Sequence, residues 1–180
     1  NRDAERFGAD YRRTPSNSRL WLLALWEASQ GRPGQVSAIA AELDTRARRS
    51  GARTDRLLAD AVAAHASLAR RDSAEALRRF TALVSTAPGA ELVWDVFEPL
   101  AVERLVLMKL LLASGRVREA LDVGAVFDSP APLVHLLLLR AGLELREQAA
   151  RALRYDDLAR RLAGRLEGLG AIRGSRLSVR

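Results

Sequence analysis

Residues 68–88 read LARRDSAEALRRFTALVSTAP, and this stretch decides the fold. One helix ends at Arg71 and a second begins at Asp72 or Ser73, whose side chains can accept hydrogen bonds from the free N–H groups of the new helix. Glu75, three residues after Asp72, completes a capping-box pattern. Apolar residues at helical spacing form one face of the second helix, namely Ala76, Leu77, Phe80, Leu83 and Val84. The stretch therefore predicts the elbow of a helical hairpin.

The same pattern recurs at three other places in the chain. We define the elbow residue as the residue at the turn between the two helices of a hairpin. The elbow residues are Gly31, Arg71, Gly115 and Arg154, which stand 40, 44 and 39 residues apart. A pair of short helices cannot bury its apolar stripe alone, so the repeated hairpins are expected to stack on one another. The sequence therefore predicts an all-α fold of about four helical hairpins.

Two of the hairpins share a small residue, a larger apolar residue and a closing proline at matching positions. The matching pairs are Ala76 and Ala120, Leu83 and Phe127, and Pro88 and Pro132. This arrangement resembles the tetratricopeptide repeat (TPR) over roughly residues 18–168. The resemblance implies a right-handed α-α superhelix, used as a protein-interaction scaffold or sensor within a larger bacterial regulatory or signalling protein.

The repeats depart from the tetratricopeptide pattern in three respects. Arginine replaces the turn glycine at Arg71 and Arg154, and Val36 stands where the small alanine is expected. The period also exceeds the usual length of about 34 residues. Armadillo or HEAT-type helix pairs, with a period of about 40–47 residues, remain an alternative.

The repeat pattern divides the chain into three segments. Residues 1–17 are expected to be a linker or part of a preceding helix, residues 18–170 the repeat domain, and residues 171–180 a basic tail. Because the chain begins at Asn1 without an initiator Met, we expect it to be a piece of a longer protein. The longest apolar run, residues 105–113, is too short to span a bilayer. A cytoplasmic location is expected, with an extracytoplasmic domain of a longer protein as the alternative.

The chain is basic, with a formal charge of +7, and all but one of its 29 basic residues are arginine. A field of this sign attracts nucleic acid or acidic polymers. Most arginines, however, are interleaved with Asp or Glu, as on solvated helix faces, and aromatic residues that would stack on single-stranded nucleic acid are few. The densest basic group, named here the arginine-rich surface, comprises Arg46, Arg48, Arg49, Arg53 and Arg56. Nucleic-acid binding through this surface is the alternative function.

The sequence offers little support for an enzyme. His65 and His135 are the only histidines, and neither has a second metal-ligating residue one helical turn later. Cysteine is absent, so disulfides and thiolate metal sites are excluded. Phosphate-binding and dinucleotide-binding glycine fingerprints are absent from the sequence, and its glycines mostly mark helix ends. We therefore predict a protein without catalytic residues, bound metal or cofactor.

The resemblance to the tetratricopeptide repeat places a binding groove on the first helix of each hairpin. Counting back from the elbows gives seven positions, to which Arg151 is added. The predicted groove set comprises Trp21, Leu25, His65, Leu105, Lys109, Glu144, Gln148 and Arg151. Lys109 is the only lysine and lies within the apolar run LVLMKLLLA. Burying an unpaired charge there would be costly, so its ammonium group should reach water or a partner. The predicted ligand is an acidic peptide or a C-terminal carboxylate.

The preferred partner is thus a protein or peptide, with acidic character, and nucleic acid is the second choice. A third prediction is self-association, because terminal repeats leave apolar faces unless they are capped. Trp94 and Phe97, near the predicted helix break at Pro99, are candidates for such a contact, and packing in the core is the other role open to them.

Overall fold

The computed structural model describes residues 16–85, 100–128 and 134–174, with side chains described as far as residue 169. Within these ranges all regular structure is helical, and no strand is present. The helices are α1 (Asn17–Ser29), α2 (Pro33–Ser50), α3 (Arg53–Ala69), α4 (Ser73–Ser85), α5 (Ala101–Ala113), α6 (Val117–Val123), a 3-10 helix (Gly124–Asp128), α7 (Val134–Ala152) and α8 (Asp156–Gly174). The all-α prediction is therefore confirmed for the described residues.

The chain divides into two compact units, Asn1–Ala87 and Pro88–Arg180. The first contains α1 to α4, and the second contains α5 to α8. In the first unit α3 packs against α1, α2 and α4, and in the second unit α7 packs against α5, α6 and α8. Each unit is thus a pair of stacked hairpins in which the first helix of the second hairpin is central. The sequence predicted one repeat domain over residues 18–170, and α8 continues to Gly174.

All four predicted elbow residues have a left-handed backbone conformation, with φ values of 68° at Gly31, 63° at Arg71, 74° at Gly115 and 58° at Arg154. At each elbow the following residue donates its N–H to the carbonyl four residues before the elbow. These bonds join Arg32 to Glu27 at 3.1 Å, Asp72 to Ser67 at 3.0 Å, Arg116 to Leu111 at 2.9 Å and Tyr155 to Ala150 at 2.9 Å. The elbow N–H itself bonds the carbonyl three residues before it. This is the Schellman motif, so one local geometry ends the first helix of every hairpin.

The start of α4 follows only half of the predicted capping box. Asp72 Oδ1 accepts a hydrogen bond from the Glu75 N–H at 3.0 Å, as an N-cap should. The Asp72 N–H, however, already donates to Ser67 within the elbow. The Glu75 carboxylate therefore turns to the surface, where it pairs with Arg78 and, at 2.5 Å, with Arg79. The elbow and the capping box compete for one N–H group, and the elbow prevails.

The core of the first unit is built around α3. Nine of the 17 residues of α3 are buried, including Ala61, Val62 and Ala64, which are fully buried. Small side chains let a central helix approach several neighbours at once. From α4, Phe80 fills the remaining space and lies edge-on to the ring of His65, with 5.0 Å between the ring centroids.

The core of the second unit depends on glycine as well as on alanine. Phe127 of the 3-10 helix packs against α7 at Gly142, where an added Cβ would lie 2.7 Å from the Phe127 ring. At Gly124 an added Cβ would lie 2.5 Å from Met108 Cε and 2.8 Å from Arg146 Cγ. After Val123 the chain therefore continues as the tighter 3-10 helix, whose backbone lies close to α5 and α7. The predicted break at Pro99 and the residues Trp94 and Phe97 lie outside the described residues.

Candidate interaction faces

Three members of the predicted groove set lie in the cores of their own units. Trp21 and His65 are each only 5% exposed, and Leu105 is 8% exposed. Leu105 belongs to a cluster with Met108 and Phe127, and His65 packs against Phe80. Because each of these helices touches several neighbours, the face that the resemblance assigned to a groove is partly used for packing. These three side chains have little surface left for a partner.

The other members of the set reach solvent to different degrees. Leu25 is partly buried on α1. Lys109, Glu144, Gln148 and Arg151 are exposed, the first on α5 and the rest on α7, and these two helices pack against each other. Glu144 pairs with Arg140 at 3.5 Å, and Arg151 pairs with Glu147. The exposed part of the predicted groove set therefore lies in the second unit.

Lys109 has an unusual setting on α5. Its neighbours along the helix are apolar, and Val106 and Leu110, beside it on the surface, are only partly buried. The opposite face of α5 is the core face, with Met108 and Leu111 almost fully buried. The ammonium group thus lies on the solvent side of the helix, as the cost of burying it predicts. We call this solvent side, comprising Val102, Val106, Lys109, Leu110 and Ala113, the Lys109 face.

In the arginine-rich surface, three of the five arginines are held in a network with acidic side chains. Arg46 pairs with Glu42 at 2.6 Å, Arg56 pairs with Asp44 at 2.7 Å, and Arg48 also pairs with Asp44. Since each of these guanidinium groups already has a carboxylate partner, the positive charge offered to a polyanion is reduced.

Two carboxyl groups of this network have perturbed acidity. The hydrogen bond from Arg56, opposed by some burial, lowers the pKa of Asp44 below its usual value. Hydrogen bonds from Ser50 and from the amide of Asn17, the latter at 2.6 Å, lower the pKa of Asp55. Arg46 also donates to the Asn17 Oδ1 atom at 3.3 Å. The network therefore joins α1, α2 and α3 and has an evident structural role.

Both histidines pack against phenylalanine rings. His135 is 5% exposed, and the centre of its ring lies 5.3 Å from the centre of the Phe127 ring. His65 is likewise 5% exposed and packs against Phe80. Among the described residues no group of three potential metal-ligating side chains comes together. Within the same residues, no helix is both long and apolar enough to cross a membrane.

A charged cluster in the second unit has no counterpart in the predicted site. Asp128, at the end of the 3-10 helix, pairs with Arg146 and with Arg165, both at 2.5 Å. Arg146 is only 5% exposed, and its aliphatic stem covers Gly124. Burial tends to raise the pKa of Asp128, but hydrogen bonds from both arginines outweigh this and lower it. The sequence signal was an arginine within the apolar face of α7, four residues after Gly142.

No protein family, curated protein or solved structure gives a match to this chain.

Proposed function

We propose that this chain is a TPR-like protein-interaction module that binds an acidic peptide segment on the Lys109 face. The observation that carries the proposal is the exposed Lys109 ammonium on a helix whose other solvent-side residues are apolar. Such a surface offers a partner apolar contact area together with one strong hydrogen-bond donor. Charge-assisted hydrogen bonds to a carboxylate are about twice as strong as neutral ones, so a carboxylate is the matching ligand.

The regularity of the four elbows supports the tetratricopeptide-like part of the proposal. Each hairpin ends its first helix with the same motif, and each unit stacks two hairpins with the same helix contacts. Hairpins that repeat in this way form superhelices with extended binding surfaces. We infer a right-handed superhelix of this kind and a scaffold or sensor role within a larger regulatory protein. Lys109 and Gln148 occupy equivalent positions, six residues before their elbows, so both are expected to line one binding surface.

A displayed library of random peptides with free C-termini tests this proposal. Wild-type protein should enrich acidic or carboxylate-ended peptides, and Lys109→Glu should weaken their binding about tenfold or more. Arg49→Glu is the matched control, because Arg49 is an exposed cation on α2 and the charge change is the same. Unfolding curves of both variants check that each is folded.

Each outcome separates the proposed face from the arginine-rich surface. Loss of binding in Lys109→Glu alone supports the Lys109 face. Equal binding by wild type and Lys109→Glu would remove this face from consideration. If Arg49→Glu caused the larger loss, and binding fell steeply as salt was raised, the arginine-rich surface would replace it. Failure to enrich any peptide would count against the interaction module itself.

A further inference from the structure

The contact between α5 and α7 is filled on one side only. Helix α6 packs against both α5 and α7, and the 3-10 helix also lies against both. The stripe of α7 that meets α5 is apolar and packs on the cluster around Leu105, Met108 and Phe127; it comprises Val134, Leu138, Ala141 and Leu145. One flank of this stripe is buried, as Gly142 and Ala149 show. Its other flank is exposed.

Leu137 lies on the exposed flank of that stripe. Its helical neighbours at three positions before and four positions after are Val134 and Ala141, which both belong to the stripe. Leu137 is nevertheless 81% exposed, more than any other large apolar side chain among the described residues. Glu144 and Gln148 are exposed on the same flank, since each follows a stripe residue by three positions. A large apolar side chain therefore shares this flank with two polar ones.

Lys109 borders the same contact from the side of α5. It follows Leu105 by one helical turn, and Leu105 belongs to the cluster that meets α7. The flank of α5 turned away from Lys109 is buried, with Met108 and Leu111 at most 2% exposed. Because α6 and the 3-10 helix occupy the buried side, the exposed flanks of α5 and α7 adjoin each other. We call the surface between them the α5–α7 groove.

The two ends of the α5–α7 groove differ in chemistry. Gln148 follows Leu137 by eleven residues of one α-helix, which places it about 16 Å further along the axis. Lys109 occupies the position on α5 equivalent to Gln148, so hydrogen-bond donors are expected at one end and an exposed leucine at the other. Glu144 lies between them on α7 and pairs with Arg140 at 3.5 Å. The groove thus combines a cation, a carboxylate and an apolar side chain.

We propose that Leu137 is the apolar anchor for the peptide bound on the Lys109 face, an inference that rests on the proposed function. A short peptide is not helical in water, so its bound form is taken as extended. Residues four positions apart in an extended chain face the same side and span about 13 Å, and the flexible Lys109 side chain covers the remaining distance. The partner is therefore a peptide with a carboxylate and a large apolar residue four positions apart.

Glu144 adds a negative rule to this specificity. The residue midway between the carboxylate and the apolar residue faces the same side of the peptide as both of them. Because Glu144 lies between the two ends of the groove, an acidic residue at this midway position is disfavoured by like-charge repulsion. The groove should therefore select an acidic residue at one end of the peptide only.

Nuclear magnetic resonance titration of the isotope-labelled full chain with synthetic peptides tests the anchor. The probe has one Glu and one Leu four positions apart in a Gly-Ser background, made in both orders, with acetylated and amidated ends. Its control has Ser in place of Leu. In its better order the probe should bind about three- to tenfold more tightly than the control, as expected for partial burial of two leucine side chains. Leu137→Ser should abolish this difference, which a double-mutant cycle measures.

Leu136→Ser is the matched control for this substitution. Leu136 precedes Leu137 on the same turn of α7 and is 47% exposed. Its helical neighbours Leu139 and Leu143, however, belong to the cluster that α7 shares with α8. This variant should therefore keep the preference for the Leu probe. Unfolding curves of both variants check that each is folded.

A second pair of probes tests the negative rule. They carry Glu or Gln at the position midway between the first Glu and the Leu. The affinity of the Glu form relative to the Gln form should rise about two- to fivefold in Glu144→Gln, because the repulsion is then removed. An unchanged ratio would overturn the role given to Glu144.

The outcomes separate the anchor from the proposed function. Weaker binding of both probes by Lys109→Glu, with the Leu preference lost in Leu137→Ser alone, supports both. A Leu preference that is absent, that survives Leu137→Ser or that is lost equally in Leu136→Ser would overturn the anchor, while an effect of Lys109→Glu would leave the proposed function standing. If Lys109→Glu weakened neither probe, the proposed function would fail and the anchor with it.

Discussion

The two units bury their central helices by different means. In the first, α3 is rich in alanine, and Phe80 from the next helix fills the gap beside His65. In the second, α7 has Gly142 beneath Phe127 and a buried Arg146 neutralised by Asp128. A small residue permits close packing in both units, but the second places glycine against an aromatic ring. The second unit should therefore tolerate less change at its centre.

The largest effect is expected from removing the aromatic filler of each unit. Phe80→Ala and Phe127→Ala should each lower the free energy of unfolding by about 3–5 kcal/mol, because both rings are almost fully buried. Hydrogen exchange followed by mass spectrometry should show faster exchange within residues 17–85 for the first variant and within residues 101–174 for the second. Protection that persists in α3 of Phe80→Ala would contradict the central role given to that ring.

The next effect separates the close glycine contact of the second unit from an open glycine. Gly142→Ala should lower the free energy of unfolding by about 1–3 kcal/mol, since the new methyl group meets the Phe127 ring. Gly164→Ala on α8 is the matched control, because nothing lies within 4 Å of its added Cβ. That substitution should instead stabilise by about 0.5–1 kcal/mol through helix propensity. Urea unfolding should show that the free energy of unfolding decreases in Gly142→Ala and increases in Gly164→Ala. A change in the same direction for both variants would refute the packing argument.

The elbows allow one comparison within the first unit itself. Gly31→Ala places a side chain in a left-handed conformation and should destabilise by roughly 1 kcal/mol. Arg71→Gly removes the same strain and should stabilise by roughly 0.5–1 kcal/mol. Thermal unfolding of both variants measures the two shifts. A loss of stability in Arg71→Gly would mean that its side chain contributes more than its backbone costs.

The smallest expected effect is the loss of stability at low pH. Asp44 and Asp55 in the first unit, and Glu119 and Asp128 in the second, have lowered pKa values in the folded chain. A lowered pKa contributes stability that is present above the usual carboxyl range near pH 4 and is lost as pH falls through the folded value. The urea concentration at the unfolding midpoint should therefore decrease as the pH is lowered below 4. Asp55→Asn should make this decrease smaller.

Asp60 gives an acid test of the opposite sign. Burial raises the pKa of Asp60 in the first unit. Its ionised form is therefore disfavoured by folding, and the stability linked to its protonated form is lost as pH rises through the folded value. Asp60→Asn should raise the urea midpoint at neutral pH more than at pH 3. An equal rise in the urea midpoint at neutral pH and at pH 3 would contradict the burial effect.

Local sequence was sufficient for the helices and their turns. The elbows at Gly31, Arg71, Gly115 and Arg154 were predicted one by one, and all four have the left-handed backbone. A Schellman turn depends on hydrogen bonds within six residues, so the signal lies in the sequence of the turn itself. Helical spacing likewise identified buried residues such as Leu83, because amphipathic periodicity reflects the face turned to the core.

The sequence did not separate the exposed members of the predicted groove set from the buried ones. Lys109 is exposed, as its charge requires. Counting back from the elbows also included Trp21 and His65, which are buried, since register along one helix does not reveal how many neighbours cover it.

The sequence by itself thus determined the helical class, the hairpin repeat and the position of every described elbow, because these depend on contacts between residues close in the chain. Only the tertiary structure decided the division into two units, the switch to a 3-10 helix at Gly124 and the pairing of Asp128 with Arg146 and Arg165. Each of these depends on which residues meet from distant parts of the chain. Such contacts are set by side-chain volume and charge in three dimensions, which local periodicity does not contain.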